Sequence, residues 1–167
     1  MKIIKKSIPY LLGLLLIIQF IRPKRNQSDQ ISINEIDKQY VVSEDVMQVL
    51  HRSCYDCHSN NTVYPWYTNV QPVGWWLQQH VNEGKEDLNF SEFGTYEPKK
   101  KFHKIKKISD ALSKGWMPLN SYLWIHKNAI LTADQNSMLT RWADSLGAAI
   151  KMKYDLPDEP QENRGRD

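Results

Sequence analysis

Residues 54–58 read Cys54-Tyr55-Asp56-Cys57-His58, and both cysteines of the 167-residue chain fall inside these five positions. Cys-x-x-Cys-His is the attachment signature of a c-type haem. The spacing lets two thiols add across the two vinyl groups of one porphyrin edge, and the adjacent histidine then turns its imidazole under the iron. On this reading Cys54 and Cys57 attach one haem c covalently, and His58 is the proximal iron ligand. Three other uses of the pair stay open on the residues alone. A disulfide oxidoreductase expects its Cys-x-x-Cys after a strand in a βαβ setting, whereas a helical pattern precedes it here. A zinc site needs two further ligands, while His80, His103 and His126 stand 23 residues apart. A disulfide between residues three apart is strained and closes a trivial loop.

The flanking sequence reads as helix. Ser43 followed by Glu44 and Asp45 makes an N-cap with acids in the first turn, and Val46, Val49, Leu50 and Ser53/Cys54 recur at three and four. That helix delivers its apolar face to Cys54. Pro72 opens a second segment in which Val73, Trp76, Leu77 and His80 share one side, ending before Gly84. A third covers 98–114, with Phe102, Ile105, Ile108 and Leu112 as its stripe and Gly115 as its stop. Thr132-x-x-Gln135 is a capping box opening a fourth, which carries Met138, Leu139, Trp142 and Leu146 before Gly147. Alternating strand patterns are absent, so the expected fold class is all-α.

With 41% apolar and 25% charged side chains, the chain has the size and composition of one core. Wholesale disorder, collagen-like repetition and a polytopic membrane protein are excluded. Six Trp, eight Tyr and four Phe are more rings than a small bundle needs unless something large and flat shares its interior. The net charge of +3 comes from one end: Lys2, Lys5, Lys6, Arg22, Lys24 and Arg25 fall in the first 25 residues, which hold no acid. Beyond them 16 basic side chains face 19 acidic ones, so no nucleic-acid partner is expected.

Residues 1–25 form a single N-terminal hydrophobic membrane segment, an anchor or a signal. The apolar run Ser7 to Ile21 lies between a signal-peptide core and a full span, and Phe20-Ile21-Arg22-Pro23 is a poor signal-peptidase site, which favours an uncleaved anchor over a secreted periplasmic form. Three basic residues on each side leave orientation undecided by charge. Residues 26–42 are polar without sustained periodicity and are expected as a tether, 43–152 as the folded domain, and 153–167 as a disordered tail.

The stretch from Cys54 to Phe93, with Ser59-Asn60-x-Thr62-x-Tyr64-Pro65-Trp66-Tyr67 and Leu88-Asn89-Phe90-Ser91-Glu92, followed by Gly115-Trp116-Met117-Pro118, resembles the bacterial haem-binding domain family, small monohaem cytochrome c-like proteins with a CxxCH motif. The resemblance covers about residues 44–147. It implies a cytochrome c-like helical domain around a covalent haem, on the extracytoplasmic side of the inner membrane. Phe93 stands where the family pattern expects Trp, a small change in aromatic packing.

For the distal iron ligand the first candidate is Met117, a thioether on a loop restricted by Pro118; His80 and His126 are the alternatives. Trp66, Tyr67 and Trp116 are candidate pocket walls, because a flat apolar macrocycle is best covered by rings. Lys99, Lys100, Lys101, Lys104, Lys106 and Lys107 place a basic run on the outer face of the third helix, a solvated face or a docking patch for an acidic redox partner. The expected function is electron transfer with a redox protein partner. A haem-based gas-binding or sensing module with a weak or absent sixth ligand is the alternative. Enzymatic activity is not expected, because the residues identify no distal acid-base pair for a peroxidase.

Overall fold

The computed structural model describes residues 2–157, and every regular element among them is helical. In chain order these are α1 (Lys2–Ile18), α2 (Ile36–Gln39), α3 (Glu44–Ser53), α4 (Tyr55–His58), α5 (Val73–Asp87), α6 (Pro98–Ser113), α7 (Asn120–Leu123) and α8 (Ala133–Lys153). Short 3₁₀ turns occupy Trp66–Asn69, Phe90–Thr95 and Lys127–Ala129. The chain divides into two compact units, the first ending at Gly94 and the second beginning at Thr95. Most of the expected tail, from 158 onward, lies outside the described residues; its first residue, Lys153, closes α8.

In the first unit α3 buries Val46, Val49, Leu50 and Ser53, the stripe read from the sequence, and so ends at Cys54 as its C-cap. Ile36, Tyr55, Val81, Leu88, Phe90 and Phe93 complete this core. Each large side chain so buried is worth roughly 1.5–3 kcal/mol. Phe93, set edge-on against Tyr40 at 5.8 Å, is fully buried at the position where Trp was expected.

Two sequence expectations about helices are corrected. The second helix does not stop before Gly84; α5 continues to Asp87, because Gly84 provides a close approach rather than a terminus. The shared side of Trp76 and His80 is kept, their rings 4.4 Å apart, while the residues α5 buries are Gly74, Gln78 and Val81. The fourth helix runs through Gly147, which is buried with Phe102 and Ile105 nearest to it.

The second unit is built on α6 against α8, with Ile105, Leu112, Leu139, Ala143, Leu146 and Ile150 buried. Thr132 and Gln135 form the expected capping box at the start of α8. The basic run on α6 is not uniformly outward. Lys101 and Lys104 are buried on the same side as Ile105, with the Lys104 ammonium 5.2 Å from the Tyr96 ring centroid. Their alkyl stems cover apolar surface, and the Lys104 charge rests on an aromatic face.

Residues 26–42, expected as a tether, hold defined positions on the first unit. Asn26 donates from Nδ2 to Ser59 O (2.8 Å) and Thr62 Oγ1 (2.9 Å), while its backbone N–H donates to Tyr64 Oη (2.8 Å). Gly94 N–H donates to Asn34 O at 2.8 Å. Helix α1 has 17 residues, and no helix among the described residues is long and apolar enough to cross a membrane. At 1.5 Å per residue α1 spans about 25 Å, against about 30 Å of hydrocarbon.

Candidate functional site

Cys54 closes α3 and at once opens α4, whose four residues carry Cys57 and His58. The break is local: Cys54 adopts φ −130°, so the chain leaves α3, and the amides of Cys57 and His58 return to the Cys54 carbonyl at 3.2 and 3.0 Å. Both thiols and the imidazole are thereby set on one tight turn.

His58 Nδ1 lies 2.8 Å from Gly84 O and 3.0 Å from Leu88 O. Carbonyl oxygens only accept, so Nδ1 carries the proton, and in the neutral ring the lone pair is on Nε2. This is the arrangement that a metal-binding imidazole uses, one nitrogen held by a backbone carbonyl and the other presented to the metal. Phe90 braces the ring edge-on at a centroid separation of 6.4 Å, and Tyr55 stacks on Phe90 at 5.2 Å.

Gly84 makes the contact possible. A Cβ placed there would lie 2.7 Å from Cys57 O and 3.1 Å from Cys57 Cβ, so α5 and α4 can approach only through a residue without a side chain. In an open helix Gly→Ala is stabilising by about 1 kcal/mol. Here the sign should reverse: Gly84→Ala is expected to destabilise the fold by about 1–3 kcal/mol through overpacking, read as a lower midpoint in thermal unfolding together with reduced haem loading. A midpoint raised by the substitution would remove this role for Gly84. The sequence marks Gly84 only as a helix stop, and its function needs the partner helix to be visible.

The motifs around the turn interlock. Asn60 donates through Nδ2 to Glu92 Oε1 (2.8 Å) and accepts at Oδ1 from Asn89 Nδ2 (2.8 Å), while its amide donates to Ser91 Oγ (3.1 Å). Thr62 Oγ1 donates to Asp56 O at 2.6 Å, tying the following loop back to the turn. Asn26, far upstream, is the residue that sequence reasoning missed; a single Asn in a polar segment carries no periodic signal.

Burial pushes the Cys54 thiol up to about 12, with the neighbouring Cys57 adding to it, and the Cys57 thiol up to about 11, with Asp56 adding to it. Both remain protonated at neutral pH. A disulfide oxidoreductase needs a thiol depressed below its ordinary value, so these cysteines have the opposite bias. No group of three or more His, Cys, Asp or Glu side chains able to hold a metal ion occurs among the described residues.

The remaining candidates divide between the units. In the first, Trp66 is 77% exposed and lies edge-on to Tyr67 at 6.1 Å; burial and Asp56 both raise the Tyr67 phenol, which ties that ring to the motif. His80 donates from Nδ1 to Trp76 O at 2.9 Å. In the second unit α6 ends in a Schellman turn: Gly115, at φ +67°, donates to Leu112 O (3.2 Å), and Trp116 N–H to Ala111 O (2.9 Å). This turn holds Trp116 and Met117 at the surface, 63% and 38% exposed. His126 donates from Nδ1 to Tyr122 O at 3.1 Å and stacks on the Tyr122 ring at 4.0 Å.

The model of a family described as haem-binding domain matches residues 13–145, most of the chain. The chain belongs to the haem-binding domain family. No curated protein and no solved structure matches it. Haem is accordingly its cofactor, and the residues present fit that group: two thiols and an imidazole on one turn, the imidazole already held in the tautomer that offers Nε2. The matched region begins within α1, so the segment that carries Asn26 belongs to the haem-binding domain.

Proposed function

We propose that this haem-binding domain protein is a membrane-tethered, extracytoplasmic monohaem c-type cytochrome that passes electrons to and from a redox protein and is not itself an enzyme. The observation that carries the proposal is the His58 Nδ1 bond to Gly84 O on the turn that holds both thiols. Covalently bound haem supplies reversible one-electron chemistry at its iron. Cys54 and Cys57 would hold the macrocycle to the chain and His58 would supply a nitrogen ligand to the iron, while the Gly84 and Leu88 carbonyls keep that ring from turning. Met117 is the residue that would supply a sulfur ligand to the iron. Trp66, Tyr67 and Trp116 offer ring surface to a flat apolar group. Tethering is supported by α1, whose side chains Leu11, Leu12, Leu14, Leu16 and Ile17 are all exposed.

The gas-binding alternative draws on one observation: Met117, the candidate sixth ligand, sits on a loop and is 38% exposed. Carbon monoxide separates the two readings. The spectrum of the reduced protein is expected to stay unchanged on its addition, and a prompt shift would assign the protein to gas binding.

A further inference from the structure

The segment that follows α1 lines a groove of about 450 Å³ in the first unit. Its walls bring together Lys24, Arg25 and Lys85 with the side-chain amides of Asn60, Gln78 and Asn82, and no carboxylate lines it among the described residues. Arg25 commits Nη2 to Asn69 Oδ1 at 2.6 Å and lies 5.0 Å from the Tyr64 ring centroid, which leaves other guanidinium N–H groups to donate. Lys85 donates to Asn26 Oδ1, and burial lowers its pKa against the opposing pull of Glu92. A cation in that condition gains from an added anion.

The groove is fixed in place relative to the end of α1. Gln19 Nε2 donates to Gln71 O (3.1 Å), Gln71 N–H donates back to Gln19 Oε1 (2.8 Å), and the Trp75 indole N–H donates to Ile21 O (2.7 Å). Ile18 ends α1 and Pro23 begins the groove, so the chain between them covers at most about 17 Å. If α1 lies in the apolar layer, as in the functional reading above on which this inference rests, the groove stands at the level of the headgroups. We propose that it binds the phosphate of an anionic phospholipid headgroup. Lys24 and Arg25 beside the apolar segment then serve lipid recognition, where the balanced basic charge left orientation unexplained.

The full-length holoprotein in a neutral detergent is titrated with dihexanoyl phosphatidylglycerol, dihexanoyl phosphatidylcholine or inorganic phosphate, following the side-chain amide resonances of Asn26, Asn60 and Asn82. Saturable shifts with phosphatidylglycerol are expected, and weaker ones with the other two probes. Each lost cation should weaken binding about fivefold, so Lys24→Gln, which removes a side chain with no hydrogen bond in the described residues, should show the effect without disturbing the fold. The triple substitution of Lys24, Arg25 and Lys85 by Gln should abolish saturation. Absence of saturable shifts, or equal affinity of Lys24→Gln and the parent chain, would overturn the groove as a site. Equal affinity for inorganic phosphate would overturn the lipid assignment. Release of the chain from membranes by carbonate would instead remove the tethering reading, whatever the titration shows.

Discussion

Replacing Cys54 and Cys57 together by alanine is expected to free all pigment from the chain. Acid-acetone extraction breaks axial coordination but leaves thioether bonds intact, so the parent protein should keep its colour in the pellet and the double variant should lose it to the solvent. The difference is all or none because no other cysteine exists to replace them. Each single variant retains one attachment point and should keep haem covalently at reduced yield. Burial pushes the two thiols up to about 12 and about 11, so little of either is the thiolate that enters disulfide exchange at neutral pH. Loss of pigment from the parent chain would show that haem is bound without covalent bonds. Family membership would survive that result, and the c-type assignment would not.

Met117→Ala is expected to remove the weak near-infrared sulfur-to-iron band of the ferric protein and to admit carbon monoxide to the ferrous one. A thioether is a soft, neutral ligand that favours the ferrous state, so the midpoint potential should fall by an appreciable part of the about 0.8 V over which axial ligands move haem potentials. The substitution leaves the fold largely untouched, since Met117 is 38% exposed and follows a Schellman turn closed by backbone bonds alone. His80→Ala and His126→Ala are the controls. Each ring donates Nδ1 to the carbonyl four residues upstream, so its neutral form carries the lone pair on Nε2. Both variants should keep the band. If Met117→Ala leaves spectrum and potential unchanged while one histidine variant turns high-spin, the axial pair is bis-histidine.

The basic run on α6 shows why a charge pattern alone does not describe a surface. Six lysines over 99–107 read as one outer face, yet Lys101 and Lys104 share the helix side of Ile105 and bury their stems there. A lysine side chain is long enough to serve both environments, and its type does not say which. The stripe Val73-Trp76-Leu77-His80 teaches the reverse. Its spacing is that of a core face, but the inner side of α5 is Gly74, Gln78 and Val81, where small and hydrogen-bonding residues allow close packing.

What was legible in the sequence was local. Adjacent residues set Cys-x-x-Cys-His, the Ser43 and Thr132 helix starts and the Gly115 stop, because capping, turn geometry and three-residue spacing depend on neighbours along the chain. Gly84 against Cys57, the carbonyls that select the His58 tautomer, and Asn26 bridging Ser59, Thr62 and Lys85 were decided only by the tertiary structure. Those contacts join residues 26 to 59 positions apart. A hydrogen bond or a close backbone approach across such separations depends on where the helices come to rest, and no periodicity in the sequence records it.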